Sequence, residues 1–304
     1  MPIRIDDALP AKRSLEKENV FVMSNKRADT QDIRPLNIII LNLMPTKIET
    51  ETQLLRLLSN SPLQVTVELL QVETHKTKNT SQEHMLKFYK TFKEVKNNRY
   101  DGMIITGAPL AHLKFEEVDF WEEYLEIMEW TKTNVYSVLN ICWAAFAGLY
   151  YKYGILPVDL PEKEFGVFPH RSLDTAHPLM RGLDDVFYVP HSREWALDTN
   201  DIAKIKGLQI ISYSDMSGIH IISDMDCRNF YITGHGEYDR NTLKNEYIRD
   251  INKGLPIQKP YNYFPEDDPE REPIMNWKSA ANLIYSNWLN YFVYQKTPYD
   301  LNNL

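Results

Sequence analysis

The sequence predicts an α/β protein with a mostly parallel sheet flanked by helices on both faces. Apolar runs typical of buried strands alternate with helical patterns through the first half of the chain, an order that favours parallel strands joined by helices. Residues 135–141 form one such run and pass directly into a helix-like segment at Cys142. That juxtaposition predicts a nucleophile elbow, a sharp turn between a strand and a helix.

The spacing of apolar residues defines the individual elements. Residues 36–43 read as a buried strand, and residues 49–58 read as a helix whose leucines crowd one side. The other predicted elements, in chain order, are a strand at 64–72, a helix at 82–92, a strand at 102–106, a helix at 118–131 and the strand that ends at Cys142.

Ligands on parallel sheets bind beyond the carboxyl ends of the strands. Four side chains fall just past predicted strand ends: Lys47, Ala108, Cys142 and His235. We therefore expect the functional site at that edge of the sheet.

The chain is expected to form one large domain preceded by an extension. Residues 1–35 are polar with few apolar anchors, so they read as an N-terminal extension that wraps the body or a partner subunit. Residues 36–304 read as a single α/β domain, because 304 residues that are 43% hydrophobic can bury a large core. The Pro-rich stretch 256–273 reads as a surface loop.

Composition excludes several classes of protein. A net charge of −8 argues against nucleic-acid binding, and the absence of any run of eighteen apolar residues argues against a membrane span. No apolar signal-peptide core follows the charged start, and two cysteines give no disulfide framework, so a reducing cytoplasm is expected. The eight histidines are scattered without ligand spacing, so no metal is expected.

Cys142 is the first candidate catalytic residue. A helix N-terminus behind it would lower the thiol pKa and offer backbone N–H groups to an oxyanion. A lone cysteine in apolar surroundings is also typical of an inert core residue, so this position alone leaves both interpretations open.

The second candidate is His235, where a β-like run ends in Gly-His-Gly-Glu. The flanking glycines permit an unusual backbone path, and Glu237 could hold one imidazole nitrogen while the other faces a thiol. Alone, this motif would read as a turn histidine with a solvated glutamate. Together with Cys142 it predicts a Cys-His-Glu triad.

Seven blocks of the sequence match one known family in the same order. They are residues 18–23, 41–47, 106–109, 141–143, 190–193, 234–238 and 286–291. On these blocks the chain resembles the homoserine O-acyltransferase family of methionine biosynthesis over nearly its whole length. The resemblance implies a flavodoxin-like fold related to class I glutamine amidotransferases, and it implies a homodimer.

The resemblance also implies a reaction. An acyl group would pass from acyl-CoA to the side-chain hydroxyl of homoserine through a thioester on Cys142, with ping-pong kinetics and no cofactor. His235 would deprotonate first Cys142 and later the hydroxyl of the acceptor, and Glu237 would fix the imidazole tautomer. The partners would be acyl-CoA and a small hydroxy amino acid.

Four further residues match substrate contacts of the family. Lys47 would lie near the acyl carbonyl, while Lys163, Ser192 and Arg249 would contact the substrate. Because the guanidinium fork bonds both oxygens of a carboxylate, Arg249 is our candidate for the amino-acid carboxylate. Taken alone, Lys163 and Arg249 would read as solvated surface charges.

The sequence departs from the family pattern near these positions. Ala144 and Phe146 follow the nucleophile where the family usually has Gly and Gln, and Glu194 and Trp195 stand where it usually has His-Thr. Toward the C-terminus, the usual Ser-His-Gly-Asn is Ser-Ala-Ala-Asn at residues 279–282. One hypothesis is that Phe146 shortens the acceptor pocket and favours serine, which some family members acetylate; the competing one is that Phe146 only fills the core.

The acyl donor is a separate question, which concerns residue 111. Family members that use acetyl-CoA often carry Glu there and succinyl users carry Gly, whereas this chain has Ala111. An alanine admits succinyl without demanding it, and residues 106–111 hold no basic side chain for a second carboxylate. Acetyl is therefore favoured.

Two other functional classes remain in view. A glutaminase-like Cys hydrolase could use the same triad, but such enzymes usually show Gly-x-Cys-x-Gly, and here Asn140 and Ala144 flank the cysteine. A catalytically dead module that senses a metabolite is opposed by the retained triad.

Overall fold

The computed structural model describes residues 3–6, 8–18, 22–23, 34–75 and 79–304. The strands are β1 Ile3–Arg4, β2 Val22–Met23, β3 Leu36–Leu41, β4 Val65–Leu70, β5 Tyr89–Lys90, β6 Tyr100–Ile105, β7 Val135–Ile141, β8 Val158–Ser172, β9 Phe187–Ala196, β10 Leu208–Ser214, β11 Gly218–Asp224 and β12 Asn229–Ile232. The helices are α1 Pro10–Lys17, α2 Lys47–Ser59, α3 Gln82–Phe88, α4 Phe92–Val95, α5 Trp121–Asn134, α6 Trp143–Tyr153, α7 Thr199–Ala203, α8 Thr242–Asn252 and α9 Lys278–Asn287. A π-helical segment, Trp288–Tyr294, follows α9.

The strands form one sheet in the order β2-β1-β4-β3-β6-β7-β12-β11-β10-β8-β9, with β5 beside β4. From β2 to β12 in this order the neighbours run parallel, and from β12 to β9 they run antiparallel. The prediction of a mostly parallel sheet is confirmed. The antiparallel strands β8 to β11 extend it on one side.

Helices cover both faces of the sheet, because successive residues of its central strands are apolar and point to opposite faces. Ile38 and Ile40 of β3 face the core that includes the leucines of α2 and the apolar residues of α9. Ile39 and Leu41 face the opposite core, which is built from the aromatic residues of α5 and α6. Strands buried on both faces read as continuous apolar runs, which is why the sequence predicted them well.

One predicted helix was too long. The helix expected at 82–92 ends at Phe88, and the chain resumes a helix only at Phe92. Tyr89 and Lys90 instead pair in parallel with the end of β4. The Tyr89 hydroxyl donates to buried Glu51 at 2.6 Å, so this tertiary contact fixes the extended backbone that the helical pattern did not anticipate.

The described parts of residues 1–35 lie against the rest of the chain. Strand β1 pairs with β4, and the buried side chains of Ile5, Leu9 and Leu15 join the core around α2. Several residues of this segment lie outside the described ranges, including residues 19–21 of the matched block 18–23. The boundary between an extension and a domain stays a prediction. None of the helices in the described ranges is long and apolar enough to cross a membrane.

Candidate active site

Cys142 lies in a strained turn between β7 and α6. Its backbone has φ 50° and ψ −116°, and a positive φ is uncommon for a residue with a side chain. Its N–H donates to the carbonyl of Ile232 at 2.7 Å, which ties the turn to the end of β12. The predicted nucleophile elbow is present, and backbone strain of this kind is typical of functional sites.

His235 lies beside Cys142 because their strands are neighbours. Ile141 and Ile232 are register partners in the parallel pair β7 and β12, so both residues follow the carboxyl ends of adjacent strands. The backbone N–H of His235 donates to Pro190 of β9 at 2.8 Å. A Cβ on Gly234 would lie 2.5 Å from Val189, so only glycine allows this close approach.

The imidazole of His235 connects the cysteine to the glutamate. Its Nδ1 lies 2.6 Å from Oε1 of Glu237, and the ring hydrogen-bonds the thiol of Cys142. Burial disfavours a charge on this ring, but the charges of Cys142 and Glu237, with hydrogen bonds to both, outweigh it and raise the pKa of His235 to about 10. An imidazolium beside a thiol favours the thiolate, which is the nucleophilic form.

Two neighbouring groups hold this arrangement. The ring of Tyr238 stacks on that of His235, with centroids 4.2 Å apart and planes 11° apart. Gly107 approaches from the loop after β6, where a Cβ would lie 3.2 Å from Cβ of Cys142. The cysteine, the histidine and the glutamate predicted from sequence therefore come together, and the arrangement can perform thiolate chemistry on an acyl group.

A cavity of about 310 Å³ opens over the thiol. Four of the predicted site residues line it: Cys142, Ser192, His235 and Arg249. The loop before α2, the loop after β6 and one face of α8 also line the cavity. It therefore lies beyond the carboxyl ends of the parallel strands, as expected.

Glu246 of α8 is the centre of the polar wall of this cavity. Its Oε1 accepts from Lys163 Nζ at 2.7 Å, from Ser192 Oγ at 3.0 Å and from Arg249 Nη2 at 3.2 Å. Arg249 also pairs with Asp250 at 2.6 Å. The three residues predicted to contact substrate thus meet at one carboxylate, in a cluster with two positive and two negative side chains.

Lys47 lies close to the site but points elsewhere. Its Nζ donates to the carbonyl of Asn42 at 2.5 Å, and the residue is not among the described residues that line the cavity. Burial lowers the pKa of Lys47 to about 8, although Glu51 opposes the shift. In this conformation the amine supports the loop after β3, whose residues 44–46 line the cavity. The role of Lys47 near the acyl carbonyl stays a prediction.

The residues predicted to set specificity, for the acceptor or for the acyl donor, lie away from the cavity. Phe146 is buried and packs edge-on against Trp195, with ring centroids 5.7 Å apart. Ala144 is buried in the same aromatic core, and Glu194 is exposed on the alternate face of β9. Ala111 is partly buried against this core. None of the five is among the described residues that line the cavity, so the geometry favours the core-filling interpretation of Phe146.

We expect Phe146→Gln to act on stability and not on specificity. Placing an amide in an aromatic core loses ring contacts and buries an unpaired polar group, at a cost of about 3 kcal/mol. Thermal unfolding should show the loss, while the ratio of kcat/KM for homoserine and serine stays unchanged. Phe146→Leu, which stays apolar, is the matched control and should cost less. A tenfold change in the ratio for the Gln variant alone would contradict this placement.

Three histidines lie close together beside Gly234, which precedes the catalytic His235. His170, His191 and His220 are buried, with ligand atoms within 4.8 Å of one another. Arg193 donates to His191 Nδ1 at 3.1 Å, so His191 carries its proton on Nε2 and donates it to His170 Nε2. This pattern uses lone pairs of His170 and His191 that a metal ion would need. The expectation of no metal stays a prediction.

Sequence reasoning missed three residues of this site. Glu246 stands one helical turn before Arg249, and an i, i+3 pair of opposite charge on a helix could have indicated it. Tyr238 lies in the matched block 234–238, but nothing in the sequence indicates that its ring stacks on His235. Arg193 follows Ser192 and is buried against Glu164, where its charge also acts on Cys142.

Comparison of the whole sequence with known proteins gives consistent results. A family model described as homoserine O-succinyltransferase matches residues 2–299. A protein named homoserine O-acetyltransferase from Acetivibrio thermocellus is 56% identical over 100% of both chains. A protein of the same name from Brevibacillus brevis is 55% identical over 100% of this chain and 99% of its own. One from Geobacillus kaustophilus is 57% identical over 99% of both chains.

Solved structures show the same fold at low identity. A glutamine amidotransferase from Thermotoga maritima has a TM-score of 0.55 at 12% identity, covering 84% of this chain and 98% of its own. A second glutamine amidotransferase, from Methylobacillus flagellatus, has a TM-score of 0.52 at 12% identity and covers 85% of this chain and 95% of its own. The predicted relation to the glutamine amidotransferase fold is confirmed.

Proposed function

The chain belongs to the homoserine O-succinyltransferase family, and from that membership we propose that it transfers an acetyl group from acetyl-CoA to the side-chain hydroxyl of L-homoserine in methionine biosynthesis. The observation that carries this proposal is that the thiol of Cys142 borders the same cavity as Glu246 and Arg249, two members of the charge cluster. The names of the relatives favour acetyl over succinyl and homoserine over serine.

In the first half-reaction, the thiolate of Cys142 attacks the carbonyl carbon of acetyl-CoA. The bond to the CoA sulfur breaks, and protonated His235 gives its proton to the departing CoA thiolate. The products are an acetyl thioester on Cys142, free CoA and a neutral imidazole. Backbone N–H groups at the start of α6 lie behind the nucleophile, where a helix N-terminus favours the developing oxyanion.

Acylation changes the electrostatics of the site. The thioester carries no charge, so the imidazole loses one of the partners that raised its pKa. His235 can then accept the proton of the homoserine hydroxyl as that oxygen attacks the thioester. The bond to Cys142 breaks, O-acetylhomoserine leaves, and the proton stays on the imidazole beside the regenerated thiolate.

The cluster around Glu246 suits the charged end of an amino acid. A zwitterion brings one ammonium group and one carboxylate, and the cluster offers an anion and two cations close together. We assign the ammonium group to Glu246 and the carboxylate to Arg249 and Lys163. Without substrate, the two cations pair with the glutamate instead.

Glu246→Gln should weaken the second half-reaction and spare the first. The amide keeps the size of the side chain but cannot balance an ammonium group, so kcat/KM for homoserine should fall about 100-fold, as expected for a desolvated ion pair. Rapid-quench measurement of the acetyl adduct should show unchanged acylation. Exposed Glu162 offers the control variant Glu162→Gln, which should behave as wild type. Slower acylation in the Glu246 variant would contradict the assignment.

The overall function is tested by release of CoA. Acetyl-CoA and succinyl-CoA are each supplied with homoserine, with serine or with no acceptor. We expect the fastest release with acetyl-CoA and homoserine, and little release without an acceptor. Release that does not depend on the acceptor would indicate a hydrolase, and a preference for serine or succinyl-CoA would overturn the corresponding assignment.

A further inference from the structure

A second, much smaller cavity lies beside the triad glutamate. It has a volume of about 20 Å³ and is bordered by Glu237, by His220 of β11, by Tyr285 and by the small side chains of Ala280 and Ala281. Most of its remaining wall is apolar. About 10–15 Å³ is enough to admit one water molecule, so the space suits a single small ligand.

Two buried polar atoms belong to residues that border this cavity. Oε2 of Glu237 and Nδ1 of His220 have no hydrogen-bond partner among the described residues. The glutamate is 8% exposed and the histidine 2% exposed, so bulk solvent does not hydrogen-bond these atoms. An unpaired carboxylate oxygen is costly at such a depth, and native proteins rarely leave one without a partner.

We propose that this cavity binds one ordered water molecule that donates a hydrogen bond to Oε2 of Glu237 and makes a second hydrogen bond to Nδ1 of His220. Water fits either tautomer of the histidine because it can both donate and accept. An anion would be repelled by the carboxylate. Tyr285 also borders the cavity, and burial together with the charge of Glu237 holds the pKa of Tyr285 well above its usual value, so its hydroxyl keeps its proton.

The water has a role in positioning the triad, which rests on the proposed function of Glu237. Oε1 of this residue is engaged by His235, and the water gives the other oxygen its hydrogen bond. A hydrogen bond on each oxygen fixes the rotation of a carboxylate. The water therefore holds the carboxylate of Glu237 in place, and the carboxylate holds the orientation of His235.

A crystal structure of the wild-type protein tests the site directly. At a resolution near 1.5 Å, we expect density for one water within hydrogen-bond distance of Glu237 Oε2 and His220 Nδ1. A cavity without such density overturns the proposal. This result does not depend on the reaction, so failure of the water site and failure of the proposed function are distinguishable.

Two variants of equal size at Ala280 test the role. Ala280→Val should fill the cavity and displace the water, whereas Ala280→Thr fills it equally but supplies a hydroxyl. We expect kcat/KM to fall about 10-fold to 100-fold in the Val variant, the effect of removing one hydrogen bond to a charged group. The Thr variant should stay within about threefold of wild type.

Rescue by the hydroxyl separates positioning from packing. The two variants fill the same space, so a packing effect would lower kcat/KM equally in both, whereas loss of the hydrogen bond affects only the Val variant. Equal kcat/KM for the Val and Thr variants would show that Ala280 acts only through packing and would overturn the role.

Discussion

Replacing Cys142 by serine will stop turnover. A serine ester of the acyl group does not exchange with CoA as a thioester does, and the hydroxyl gains little from the neighbouring imidazole, so kcat should fall by a factor of about 10³ or more. Cys142→Ala should lose as much. Steady-state release of CoA with homoserine measures both losses.

The same cysteine should carry the acyl group. Mass spectrometry of the wild-type protein after mixing with acetyl-CoA alone should show one acetyl adduct on Cys142. Cys227 offers the matched control, because it lies in a partly buried turn against His177 and burial raises the pKa of its thiol. Cys227→Ser should keep both adduct and turnover. An adduct on Cys227, or a ternary-complex rate law, would contradict the thioester mechanism.

The second large effect is expected at Glu237. Glu237→Gln keeps the shape of the side chain but removes the charge that holds the imidazolium of His235. In a serine-protease triad the corresponding change of carboxylate to amide costs about 10⁴ in kcat, and we expect a loss of similar size. Single-turnover acylation measures it.

The pH dependence of this variant is an independent check. Part of the rise in the pKa of His235 comes from the charge of Glu237, so the imidazolium should lose its proton at lower pH in the variant. The alkaline limb of acylation should therefore shift to lower pH. Glu194→Gln removes an exposed carboxylate in β9 and should change neither quantity. A loss below tenfold would show that Glu237 is not the partner of the base.

The triad was predictable because each of its parts is local in sequence. The strand that ends at Ile141 and the strand that ends at Ile232 are mostly apolar, and each catalytic residue follows one of them. Parallel strands share their carboxyl edge, so the meeting of Cys142 and His235 follows once the two strands are adjacent. Their adjacency was supplied by the family resemblance and not by the runs themselves.

The acceptor side of the site was less predictable, because its residues come from distant segments. Lys163 lies on β8, Ser192 on β9 and Glu246 on α8, and no local pattern indicates that the three converge. In the sequence, Phe146 and Trp195 are two separate departures from the family pattern. In the structure their rings pack against each other and fill the core.

The order of the strands decides when reactivity can appear during folding. Val138 of β7 pairs with Asn229 of β12, and the four antiparallel strands lie between them in sequence. Pairings of such long range form slowly, so His235 reaches Cys142 only late in folding. Until then the thiol of a nascent or refolding chain lacks the base that activates it. We expect acylation competence to return only with the slowest refolding phase, after the helical circular-dichroism signal, and recovery in step with that signal would contradict this order.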